Sequence, residues 1–161
     1  IPRVKSEIQK ILFNFDIVTT LYDYYGFKDS QNLSLNDIQN AIAEGINPDR
    51  QRWFVPYLQQ YEFEALLFSS PESLVGEFGE DQKLTDLEAI LQQCGEPENI
   101  NNNRDTCPSR RLKSLFPGYD KVFHGSAICS QIGLDRIREK CARFNGWLEA
   151  IEQKAQEFAN A

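Results

Sequence analysis

Methionine is absent from all 161 residues, histidine occurs once, as His124, and tryptophan only twice. One histidine leaves histidine-rich zinc sites and Ser-His-Asp chemistry almost nothing to work with. No apolar run approaches the roughly 18 residues of a membrane span, and the N-terminus does not have the layout of a signal peptide. The cysteines, at positions 94, 107, 129 and 141, lie too far apart for paired metal-ligand spacing. They fit partly buried, reduced thiols in a cytoplasmic protein better than a disulfide framework. Basic residues are also scarce, 17 against 24 acidic ones, for a net charge of −7. That balance disfavours a broad phosphate-tracking surface but leaves room for a local one. What remains, at 41% hydrophobic and 25% charged, is the composition of an ordinary soluble domain with one sizeable core.

With no methionine at position 1, the chain opens on "IPRVKSEIQKIL". Pro2 suits a first helical turn, and Val4, Ile8 and Ile11 or Leu12 recur at helical spacing. The stretch reads as a helix inside a domain, so the expectation is a fragment whose natural N-terminus lies upstream. Elements then alternate. Residues 3 to 13 are predicted helical and 16 to 23 a strand. After the loop "GFKDSQNLS", Asn36 and Gln39 mark a helix start, with Ile38, Ile42 and Ile46 on one face. "RWFVPYLQ" reads as a second strand that Pro56 demotes to an edge or a bulge. "YEFEALLFS" abandons strand alternation, with Phe63, Leu66 and Leu67 at helical spacing. Ser70 and Pro71 open a helix as N-cap and first residue. Thr85 and Glu88 form a capping-box pattern, and "GEPENINNNRDTCP" is a turn-rich loop. From Leu134, the series Ile137, Cys141, Phe144, Leu148 and Ile151 predicts an amphipathic helix or helix pair, weakest at Gly146. The class is α/β with a helical C-terminal half.

Three places carry candidate chemistry. The strand "IVTTLYD" delivers Asp23 to its C-terminal end, where open parallel sheets bind ligands; Asp23 can equally cap the turn that follows. Glu62 and Glu64 follow the second strand in the same way. On a helix they diverge by about 200°, so they serve one site only if the segment is irregular; otherwise they are solvated. The basic block "RDTCPSRRLKSLFPGYDK" holds Arg104, Arg110, Arg111, Lys113 and Lys121. It is either an ordinary charged helix face or a docking place for phosphate or carboxylate.

The blocks "VTTLYDYYGF", "FVPYLQQYEFEALLFS" and "PSRRLKSLFPGYDKVFHG", followed by "IGLDRIREKCARFNGWL", resemble an uncharacterised bacterial family, domain-of-unknown-function number 4276, over residues 1 to about 152. That family is similar to the Toprim-like, metal-dependent nucleases and occurs beside ATPases in bacterial defence settings. The resemblance implies a Toprim-like, Rossmann-like partial parallel sheet over residues 1–80. Residues 81–161 would form a helical extension of the same domain. The first strand, with its acidic "VEGxTE"-like motif, would lie upstream of Ile1. Asp23 and Glu62 then match family acids, and Arg111, Tyr119 and Lys121 match its "PSKRL…FPGYDK" block. Tyr61 stands where many members have histidine, which weakens a proton-transfer or metal-ligand role there.

Such a site would hold Mg²⁺ or Mn²⁺ on Asp23, Glu62 and Glu64, because hard ions take oxygen ligands. Asp23 and Glu62 are expected to share an ion. Lys121 or Arg111 would offset charge developing on phosphate. The implied function is a metal-dependent phosphodiester-cleaving component acting on nucleic acid with a partner ATPase, and with an open strand edge that favours a homo-oligomer. The rival is a non-catalytic protein-interaction module, supported by the acidic surface, the amphipathic C-terminus and the aromatics Tyr22, Tyr24, Tyr25 and Phe27.

Overall fold

The computed structural model describes residues 1–27, 33–100, 103 and 105–160. Arg104 and the middle of the loop after Phe27 lie outside them. The fold is mixed α/β, and the chain divides into two compact units, residues 1–59 with 146–161, and residues 60–145.

In the first unit, α1 (Pro2–Leu12) begins on the proline that suits a first turn and buries Ile8 and Leu12. α2 (Leu35–Glu44) starts two residues earlier than Asn36 and Gln39 suggested. Ser34 is the N-cap, and Asp37 returns the bond in a reciprocal capping box. Its Ile38 and Ile42 meet Ile8 and Leu12 in one core with Val18, Ile46, Phe54 and Leu58. The short α3 (Pro48–Gln51) is capped by Asn47.

The two expected strands form, but each in two pieces. β1 (Val18–Thr19) pairs in parallel with β3 (Phe54–Val55), and β2 (Tyr22–Asp23) with β4 (Leu58–Gln59). Both ladders keep one register, Val18 opposite Phe54 and Asp23 opposite Gln59. Pro56 explains the gap, since proline supplies no N–H and strains a ladder. Thr20 bridges it. Its hydroxyl accepts from the Tyr57 N–H at 2.8 Å and donates to the Tyr57 carbonyl at 2.9 Å. One side chain thus bonds both backbone groups of Tyr57. Trp147, in α9 (Ala142–Ala159), stacks on Tyr57 at 4.7 Å and donates to the Thr19 hydroxyl at 2.6 Å.

The second unit is helical. A 3₁₀ helix at Phe63–Ser69 buries Leu66, Leu67 and Phe68. α4 (Pro71–Phe78) opens on Ser70 and Pro71 as expected, and Gly79 closes it at φ 64°. α5 (Leu84–Cys94) follows. A 3₁₀ turn at Asp81–Lys83 runs straight into it, so Thr85 is already helical and caps nothing. α6 (Pro108–Leu115), α7 (Phe123–Ile132) and α8 (Leu134–Lys140) complete the unit. The expected weak point at Gly146 is inside α9. The break comes at Cys141, whose fully buried side chain lies 3.3 Å from the Ser69 hydroxyl.

The Thr20 bridge generates a stability prediction. Thr20→Val keeps shape but removes both of these buried hydrogen bonds, at a cost of about 1–3 kcal/mol. Thr20→Ser keeps the hydroxyl and costs far less. Chemical denaturation of the two variants checks this; equal midpoints for Thr20→Val and wild type would remove the bridge from the account.

Candidate functional site

The acidic pair of the second unit sits at an irregular joint. Tyr61 has φ 64°, a left-handed conformation that a bulky side chain adopts only under constraint. Glu62 then returns to extended backbone, and the 3₁₀ helix begins at Phe63. The two glutamates are therefore not on a common regular helix, and the geometry that would hold them 200° apart does not apply. The Glu62 charge is close enough to push the Glu64 carboxyl upward.

Their environments differ. Glu62 is half-buried, and its Oε2 accepts the Ser109 N–H at 2.9 Å, in the first turn of α6. A carboxylate there satisfies an otherwise open helix donor and faces the positive end of the helix dipole. Glu64 is only 3% exposed. Its Oε2 is buried with no aligned hydrogen bond, and the Lys121 ammonium stands 3.2 Å away. Burial, the largest influence, lifts the Glu64 pKa above the ordinary carboxyl value, and Lys121 opposes it.

Lys121 is supplied by the turn between α6 and α7. The Asp120 carboxylate accepts the Val122 and Phe123 N–H groups at 3.0 and 2.9 Å, and the Asp120 N–H donates to His124 Nδ1. The lysine side chain is half-exposed, with its Nζ 5.7 Å from the centre of the Phe63 ring. Tyr119 is buried; its hydroxyl has no hydrogen-bond partner, and burial followed by the Glu64 charge drives its pKa upward.

The structure thus brings together Glu62, Glu64, Tyr119 and Lys121. Arg111 commits its Nε to the Thr106 carbonyl at 2.7 Å, while Arg110 and Lys113 are exposed. Asp23 ends β2 in the first unit, half-buried and opposite Gln59. Two contributors had no signal in the sequence: the Ser109 N–H, which is backbone, and the Phe63 ring, which read as core. Glu98 was hidden in the turn-rich loop. It is buried and accepts the N–H groups of Arg143 and Phe144, anchoring the start of α9.

A hard divalent cation suits the oxygen donors of Glu62 and Glu64, because Mg²⁺ is commonly held by one or two carboxylates with phosphate and water completing the shell. Among the described residues no group of three or more His, Cys, Asp and Glu is placed to hold a metal. The second unit therefore offers at most two carboxylates, and the buried Glu64 Oε2 is already paired with the Lys121 ammonium.

The raised Glu64 pKa has a stability signature. Below the ordinary glutamate range both folded and unfolded states hold the proton, and no penalty arises. As pH rises from there through the raised value, the folded state keeps a proton that the unfolded state has lost, so stability falls. Glu64→Gln removes this dependence. The variant should gain stability relative to wild type as pH climbs from about 4 towards neutral, measured by denaturation across that range; a constant difference between the two proteins would contradict the shift.

No curated protein and no solved structure matches the chain. The model of one family, described as Domain of unknown function (DUF4276), matches residues 1–152. With nearly the whole sequence covered, the chain belongs to that family.

Proposed function

We propose that this chain is a Toprim-like, metal-dependent phosphodiester-cleaving domain, acting on nucleic acid in the bacterial cytoplasm with a partner ATPase. The observation that carries the reading is the pairing of the buried Glu64 carboxylate with Lys121, beside Glu62. Burying a carboxylate is costly, and a cation-holding site is one reason to bear that cost.

On this reading Glu62 and Glu64 hold Mg²⁺ or Mn²⁺. The Ser109 N–H fixes one Glu62 oxygen and leaves the other to face the ion, the usual role of an outer hydrogen bond on a ligating carboxylate. The bound ion would polarise the phosphoryl group and lower the pKa of its water. Lys121, half-exposed, offsets charge developing on the phosphate. Arg111 is the second cation, oriented through Thr106. Asp23, at the end of β2 in the first unit, is a separate candidate on its strand-end position, and Asp23→Asn is the variant that tests it.

The second reading, an interaction module or homo-oligomer, is favoured by one observation. Val122 and Phe123, next to Lys121, are 84% and 71% exposed. Such aromatic and aliphatic groups anchor interfaces.

Cleavage of single- and double-stranded DNA, with Mg²⁺ and with Mn²⁺, separates the two. Glu64→Gln should abolish cleavage, and Lys121→Ala should lower kcat by about a hundredfold, as for loss of one charge-stabilising group, impairing cleavage more than folding. Wild-type rates in Glu64→Gln would sink the proposal. No cleavage by any form, with the partner ATPase present, would favour the interaction module.

A further inference from the structure

Val122 and Phe123 stand on the surface at the start of α7, yet their backbone is pinned. The Asp120 carboxylate accepts both of their N–H groups, and the Asp120 carbonyl accepts the His124 N–H at 2.9 Å. Phe123 is 71% exposed, and its ring meets His124 at a steep angle with centroids 5.0 Å apart. His124 lies against Phe78 at 4.9 Å, and Phe78 stacks on the buried Phe116 at 4.5 Å. A row of four rings thus runs from the core to the surface and ends on an exposed phenylalanine. A side chain held by its backbone and by a neighbouring ring loses little freedom when something lands on it.

The surroundings are basic in an otherwise acidic chain. Phe116 directly follows α6, whose Arg110 and Lys113 are exposed and, three residues apart, share one face. Between Pro108 and His124 the sequence carries Arg110, Arg111, Lys113 and Lys121 against Asp120 alone, in a protein of net charge −7. Asp120 is engaged by backbone N–H groups, and Glu62 and Glu64 are taken up by the Ser109 N–H and Lys121. An exposed ring beside such cations matches an unpaired nucleic-acid strand, whose bases stack on aromatic rings while its phosphates meet positive charge. In a duplex the bases already stack on one another, and the ring finds no free base face. A second copy fits less well, because a two-fold contact would bring the same basic face against itself. We propose that Phe123 is a stacking platform for an unpaired base, with Arg110 and Lys113 on phosphates of the same strand, so that the substrate is single-stranded. This rests on the nucleic-acid reading above and adds to it the strand form and the residues that recognise it. Binding at this platform requires no metal.

Fluorescence anisotropy of a labelled oligothymidylate of about 15 nucleotides, within the usual span of single-strand sites, tests this on the whole chain in EDTA, where cleavage plays no part. Phe123→Ala should weaken binding about five- to hundredfold, the order for loss of one stacked base. Phe123→Leu, apolar but without a ring, should weaken it as well. Phe123→Trp should bind at least as tightly as wild type, and the oligonucleotide should quench the added indole emission. Replacing Arg110 and Lys113 together by Gln should lower the salt slope by about 1.4, the value for two single-strand phosphates. The oligothymidylate annealed to its complement should bind more weakly than the single strand. Wild-type affinity in both Phe123→Ala and Phe123→Leu, or equal affinity for the duplex, overturns the platform while the nucleic-acid reading stands. Binding that depends on Phe123, with no cleavage by any form, keeps the platform and removes the cleavage step. If no form binds either strand, both fall, and self-association lost in Phe123→Ala would give the face to a second copy. Should Phe123→Ala or Phe123→Leu fail to fold, Phe123→Trp decides: indole emission unchanged at saturating oligonucleotide overturns the platform.

Discussion

A carboxylate cannot leave water without a partner, and the second unit is arranged around that constraint. Glu64 is sealed between the 3₁₀ helix that carries it and the turn that carries Lys121. Three backbone features make the seal. Tyr61, at φ 64°, turns the chain so that Glu62 and Glu64 are not spaced by a regular helix. The Ser109 N–H at the start of α6 takes up Glu62. The Asp120 carboxylate caps the first residues before α7 and so fixes the root of Lys121. The last two are polar bonds whose loss would loosen the same cluster.

The first unit solves a different problem by related means. Pro56 interrupts the run at 54–59, yet both ladders keep one register because the Thr20 hydroxyl substitutes for the missing backbone bonds. Trp147 locks the same place from the other side of the sequence, through Tyr57 and Thr19. Register matters here because slipping by one residue would turn Asp23 to the opposite face.

Much of this was legible from residue type and spacing. Ser70–Pro71, the Pro56 interruption, and helix-forming Ile8 and Leu12 each act through local physics that sequence carries directly. The errors have local causes as well. Ser34 and Asp37 use an aspartate where the capping pattern is usually Glu or Gln, so Asn36 and Gln39 drew attention instead. Thr85 was a sound cap candidate until a preceding 3₁₀ turn made it helical. Gly146 costs a helix only about 1 kcal/mol, which the rest of α9 outweighs, whereas Cys141 breaks the helix by being drawn into the core. The site was legible in part. Glu62, Glu64, Tyr119 and Lys121 were named from the sequence, but that burial singles out Glu64 and aims Lys121 at it is a property of packing, not of pattern.

The most direct measurement is a crystal structure of the protein soaked in Mn²⁺, with anomalous scattering locating the ion. The account predicts an anomalous peak within about 2.0–2.6 Å of a Glu64 oxygen. A structure in which no Mn²⁺ lies beside either glutamate at saturating metal would contradict it.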